Sequence, residues 1–509
     1  MLLSICRDFE GPNSPPNKAF GVLCRMCTVR DGAEMPHVIS SRGIADFMKT
    51  SKTGIRSVGN SGQPCRISPS LFDIFPNHAT SARIAAFVLA LLLAFTVQAF
   101  ASDDTTVLHT FTGGNDGSYP YANVVADAAG NLYGTTQIGG LYGAGTVFKL
   151  APAADGTWEF SVLYAFTGGV DGGNPLGSLV FDAAGNAYST ASSGGASGVG
   201  VVFELIPPAD PTQGEEWTER VVYSFQGGND GAVPFGNVVF DVMGNLYGTT
   251  STGGMTHIGC PPAKGCGTVY ELAPTHSGPW KERIVHRFRD AFTEGATPRA
   301  GLVFDANGNL YGTTYQGGNN DVCGGDGCGT VFELIPGSGE SWKFQNLIDF
   351  NVTDGALPMG GVTMSPDGTL IGSTSFGGTE NDGTIFLFKQ EAGVWKFATI
   401  YNFDIFDGLQ PAGNLAVDKD GNIYGATYEG GVNDWGTIFR LARSPGAGEW
   451  TENLLYNFVV SGTHFGANPL GGVMLDSAGN LYLTANQGGN LNFCQPNSGC
   501  GTVIKFGRQ

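Results

Sequence analysis

Six acidic residues recur at one place in a repeated phrase, each followed by glycine: Asp116, Asp171, Asp230, Glu294, Asp354 and Asp407. Carboxylates at such a position have two uses. An Asp-Gly pair favours a tight turn, because the side chain accepts hydrogen bonds from its own backbone. A ring of acids near a channel mouth would instead hold a Ca²⁺ ion or the basic groups of a partner. Both readings stay open, and beyond Ca²⁺ no metal or cofactor is expected. The seventh copy has Phe465-Gly466 where the acid would be.

Aromatic side chains on glycine-rich loops are the second set. Trp435 stands in VNDWGT, Tyr142 and Phe493 in equivalent loops, and Tyr315 and Tyr428 just before Gly-Gly pairs. Exposed, such rings offer flat apolar faces to the C–H side of a sugar; otherwise they pack against neighbouring loops. Cys260 and Cys266, Cys323 and Cys328, and Cys494 and Cys500 each bracket one short loop. In an exported protein that arrangement reads as three local disulfides. A zinc site is the rival, but the spacing is not CxxC and no histidine ligands accompany it. The five histidines after residue 102 (His109, His257, His276, His286, His464) occupy different repeat positions. No HExxH, GxSxG or phosphate-cradling loop occurs. A carboxylate pair serves a glycosidase or lyase, yet repeated Asp-Gly turns single out no such pair.

What positions these groups is a repeat. Asn131, Asn186, Asn245, Asn309, Thr369, Asn422 and Asn480 are equivalent, at spacings of 55, 59, 64, 60, 53 and 58. A period in this range signals a solenoid or a propeller. The fourth unit shows the plan: AGLVFDANG (300–308), NLYGTT (309–314), GTVFEL (329–334) and SWKFQNLIDF (341–350). Four short strands with Gly-rich turns, seven times over, predict an all-β fold: a seven-bladed β-propeller of four-stranded antiparallel blades. Glycine at 80 of 509 residues, more than twice the usual ~7%, fits so many turns. Trp158, Trp217, Trp280, Trp342, Trp395 and Trp450 open the outer strands and should fill the gaps between blades. The body starts with TTVLHTF (105–111), an outer-strand phrase, and finishes with GTVIKF (501–506), a third-strand phrase. The N-terminal strand should therefore complete the last blade. An open β-solenoid, the alternative, needs no closing strand.

Alternating strand direction places the Gly-Gly loops and the Asp-Gly loops on one rim. The Asp-x-x-Gly turns at Asp127, Asp182, Asp241, Asp305 and Asp476 fall on the opposite rim as hairpin turns.

The phrase GNLYGTT-x-x-GG, then GTVFEL, then Trp and F-x-G-G-x-D-G-x-x-P, resembles the GloVer (Gloeo–Verruco) tandem repeat family over all seven units, from about 105 to 507. A weaker similarity is to kelch-type propeller repeats. The resemblance implies a bacterial exported repeat protein and no particular activity. This chain stops at FGRQ, without the anchoring tail often found in that family, which points to free release.

Charge divides the chain. Residues 1–101 hold ten of its 26 Lys/Arg and six of its 45 Asp/Glu, which leaves the remainder near −23. Such a surface repels nucleic acid and anionic lipid, so nucleic-acid binding is not expected. Residues 83–101 read as a signal peptide: Arg83, an apolar run, then Ala99-Phe100-Ala101, with the mature chain from Ser102. An uncleaved membrane anchor is the competing reading. Residues 1–82, with Cys6, Cys24, Cys27 and Cys65 in no partner pattern, read as an over-called or unstructured leader.

The expectation is a secreted, monomeric propeller, extracellular or periplasmic, without membrane insertion after cleavage, binding a glycan or an envelope protein through its loop-rich face. A carbohydrate-active enzyme and a structural envelope or matrix component without a ligand are the alternatives.

Overall fold

The computed structural model describes residues 105–210, 216–254, 259–260, 264–275, 278–318, 323–444, 448–459, 466–494 and 498–507. The segments expected as leader (1–82) and signal peptide (83–101) lie outside them, as do His257, His276, His464 and Phe465. The described residues form a seven-bladed β-propeller of four-stranded antiparallel blades. Blade 4 is typical, with strands Val303–Phe304, Leu310–Thr314, Thr330–Pro336 and Trp342–Asp349 paired in sequence order from the axis outwards. Blade 7 takes its outer strand from the other end of the domain: Thr105–Thr110 pairs with Thr502–Phe506, Thr105 opposite Phe506.

Each letter of the repeated phrase has a contact. In DANGNLY, Asp305 Oδ1 accepts the Asn307 and Asn309 amides at 2.8 Å, and Oδ2 accepts Asn309 Nδ2 at 2.9 Å and the Tyr311 hydroxyl at 3.2 Å. The same set recurs at Asp127, Asp182, Asp241, Asp418 and Asp476. These aspartates are turn braces. In LYGTT, glycine faces the aromatic residue of the third strand: a β-carbon on Gly134 would sit 2.5 Å from the Phe148 ring. The next threonine reaches the following blade, as when Thr313 Oγ1 donates to the Gly360 carbonyl at 3.0 Å. The last pairs across its own sheet, Thr314 Oγ1 lying 2.9 Å from Thr330 Oγ1.

Seven apolar clusters make up the core, one at each junction between blades. Five of the six outer-strand tryptophans sit in these junctions against the previous blade's tyrosine, for instance Trp342 on Tyr247 at 5.9 Å and Trp395 on Tyr311 at 5.7 Å. Trp450 packs on the cluster that holds Ile371 instead.

A latch also joins consecutive blades. The residue before each entry proline (Tyr119, Asn174, Val233, Thr297, Leu357, Gln410 and Asn468) is left-handed, with φ between 52° and 58°. That region is strained for a side chain such as Val233 or Thr297. A hydrogen bond across the junction offsets the strain; Leu357 N, for example, donates to the Cys328 carbonyl at 2.7 Å. The proline then rests on the glycine that opens the previous blade's third strand, Pro358 on Gly329 and Pro120 on Gly501.

The first strand is only two residues long in most blades, because the segment before it runs backbone to backbone along the axis. A β-carbon on Gly471 would meet the Ala122 carbonyl carbon at 2.5 Å, so small residues there set how closely the blades converge.

Candidate functional site

After each latch proline the chain turns onto the axis with one variable residue and then small ones: Pro-Tyr-Ala-Asn (120–123), Pro-Leu-Gly-Ser (175–178), Pro-Phe-Gly-Asn (234–237), Pro-Arg-Ala-Gly (298–301). These segments line a channel with only about 60 Å³ of free space. Its mouth opens on the rim of the Gly-Gly loops, and the variable residues collar it. The Arg299 guanidinium lies over the Tyr315 ring at 4.0 Å and 5.8 Å from Phe235. Tyr121 meets Phe235 edge-on at 5.3 Å. Burial pushes the Tyr121 hydroxyl up to about 12, with Arg299 opposing the shift and Tyr315 and Tyr428 adding to it. Leu176, Met359 and Leu470 complete the collar.

Of the sequence candidates, Tyr315 and Tyr428 belong to this neighbourhood. Trp435 does not: it is half-buried against the cluster between blades 6 and 7. Tyr142 and Phe493 are exposed (59% and 41%) on separate loops. The three cysteine pairs are disulfides, with Cα atoms 5.0, 5.2 and 5.4 Å apart. Cys266, Cys328 and Cys500 each also supply the carbonyl for the next blade's latch, so these bridges brace junctions.

The Asp-Gly acids sit one to a junction, each bonded within its own loop. Asp116 accepts Thr112 N at 2.8 Å and faces His109 Nε2 at 3.4 Å; Glu294 accepts Arg289 N at 2.8 Å and faces His286 at 3.2 Å. Asp354 accepts Asn351 N at 2.8 Å. Asp171, Asp230 and Asp407 accept the hydroxyls of Tyr164, Tyr223 and Tyr401. Among the described residues, no cluster of three or more metal-ligating side chains occurs.

Behind those last three lies a second carboxyl, from the following blade: Glu219, Glu282 and Glu452. Burial first, and then the charge of Asp171, Asp230 or Asp407, pushes each up to about 7. Arg287 opposes the shift at Glu282, and Asp404 adds to it at Glu452. One oxygen of each is buried without a hydrogen-bond partner. From about 4.5, the ordinary value kept by the unfolded chain, up to about 7, the native chain holds more protons. Stability therefore falls as pH rises through that window and levels off above it. The urea midpoint should drop between about pH 5 and pH 8. A variant carrying Glu219→Gln, Glu282→Gln and Glu452→Gln should lose much of that drop, and an unchanged drop would exclude these groups as its source.

The sequence model of the Gloeobacter/Verrucomicrobia repeat matches residues 93–324, 254–415 and 322–507, which together span every blade. The chain belongs to the Gloeobacter/Verrucomicrobia repeat family. No curated protein matches it. Similar solved structures include a putative 6-phosphogluconolactonase from Bacteroides uniformis, 17% identical, covering 65% of this chain and 83% of that one, with a TM-score of 0.38. A putative oxidoreductase (glucose dehydrogenase) from Thermus thermophilus is 14% identical, covering 78% and 99%, with a TM-score of 0.35.

In this Gloeobacter/Verrucomicrobia repeat protein, the collar residues Tyr121, Phe235 and Arg299 escape a reading of shared repeat positions. Their signal is the reverse of repetition. Between a proline and a small residue that every unit keeps, one position reads Tyr, Leu, Phe, Arg, Met, Ala and Leu in turn.

Proposed function

We propose that this repeat protein is an exported binding module that takes a saccharide at the mouth of its central channel. The observation that carries the reading is the collar, where Tyr121, Phe235 and Tyr315 gather around Arg299 on the loop-rich rim. Aromatic faces suit the C–H side of a pyranose, and polar groups at the edge suit its hydroxyls. A rigid ring carrying the site on its loops needs little ordering on binding. Three disulfides accord with an oxidising compartment. Among the described residues, no helix is long and apolar enough to cross a membrane. The channel lining carries no carboxylate among the described residues, and no hydrolytic step is proposed there.

The test is retention of the purified protein on a broad panel of polysaccharides, repeated with Tyr121→Ala and Phe235→Ala. Selective retention that weakens about tenfold in either variant, with cooperative unfolding kept, is the expected result. Retention by no polysaccharide would refute the reading, as would retention indifferent to both substitutions. An envelope-protein partner would then move ahead.

A further inference from the structure

Arg299 is out of place in so acidic a body. Among the described residues it forms no ion pair, although acids outnumber bases by more than two to one after residue 101. It lies instead on the Tyr315 ring, with Phe235 further off, and among the described residues it is the one charged member of the channel lining. Stacking occupies a face of the guanidinium and leaves the N–H groups along its edge to donate. A planar carboxylate matches that edge with two parallel hydrogen bonds.

A second group in the channel is also unpaired. Asn123 lines the same space, and its amide oxygen is buried with no hydrogen-bond partner. A buried acceptor left unmatched is costly, whereas a ligand hydroxyl would satisfy it. The lining therefore offers donors for one anion, an acceptor for a hydroxyl and aromatic surface, all around a space too small for more than the end of a molecule.

We propose that the channel mouth binds a sugar acid, its carboxylate on Arg299, a hydroxyl on Asn123 and its apolar ring face against Phe235 and Tyr121. This rests on the collar being a saccharide site. The acidic balance of the body, near −23 after residue 101, repels long polyanions, so a terminal or free uronate fits and the interior of a polyuronate chain does not.

Calorimetric titration of the full chain with D-glucuronate, D-galacturonate, D-glucose and acetate tests it. A uronate binding at least about tenfold more tightly than glucose and acetate is expected. In Arg299→Gln that preference should vanish while any glucose binding stays. Equal binding of glucose and glucuronate would overturn the carboxylate assignment and leave the collar standing as a neutral-sugar site. Equal binding of acetate would overturn the sugar part. Binding of none of the four overturns the inference; if polysaccharide retention still depends on Tyr121 and Phe235, the broader reading survives it. Selectivity in the unmodified protein decides the matter, so a poorly folded Arg299→Gln leaves the test intact.

Discussion

Gly134→Leu should destabilise the protein by about 3 kcal/mol, and adding Phe148→Ile should restore most of the loss. Gly134 lies opposite Phe148, whose ring fills the space where a side chain would go. The backbone at Gly134 does not have a positive φ, so the penalty is one of volume, not of conformation. Blade 7 already contains the compensated arrangement: Leu483 stands opposite Ile504, both buried, with Val473 beside them where blade 1 has Val124. Blade 2 offers an intermediate, Ser189 opposite Phe203. Urea unfolding of the two single variants and the double variant gives their coupling directly. A double variant no more stable than Gly134→Leu alone would show that the two residues do not share one volume.

Deleting residues 105–111 should have a still larger effect, at least about 4 kcal/mol, since losing one buried aromatic, here Phe111, alone costs about that much. That segment supplies the outer edge of blade 7 and ends on Phe111, which is fully buried between blades 7 and 1. It also carries His109, stacked on Phe160 at 3.7 Å. Without it, Thr502–Phe506 becomes an unpaired edge, a template for other chains. A lowered urea midpoint with association on size exclusion is the expected outcome. A synthetic peptide of residues 105–111 should reverse both by adding the missing strand. A truncated chain as stable as the parent would mean that the closing strand holds nothing shut.

The ring itself was legible in the sequence because its causes are local and repeated. Gly-Gly and Asp-Gly each announce a turn, the period fixes how many blades there are, and the phrases at 105–111 and 501–506 are complementary parts of one sheet. Packing direction was less legible. Trp435 looks like a loop aromatic, but its ring turns into the junction between blades 6 and 7. The Asp-Gly acids allowed a metal ring or turn chemistry, and only the bonds to neighbours such as Thr112, Tyr164 and Asn351 show how each is engaged. The collar was hidden for another reason: its residues converge from different units, at the one entry position where the units differ.

The latch at each junction is written in the same few letters: a left-handed residue, a proline, and a glycine to receive it. Nothing in it distinguishes one neighbour from another. The latch alone would let any unit engage any other as its neighbour. Individuality is left to the single residue each unit presents on the axis. A substitution at that one position changes the lining of the centre and leaves the latch as it is.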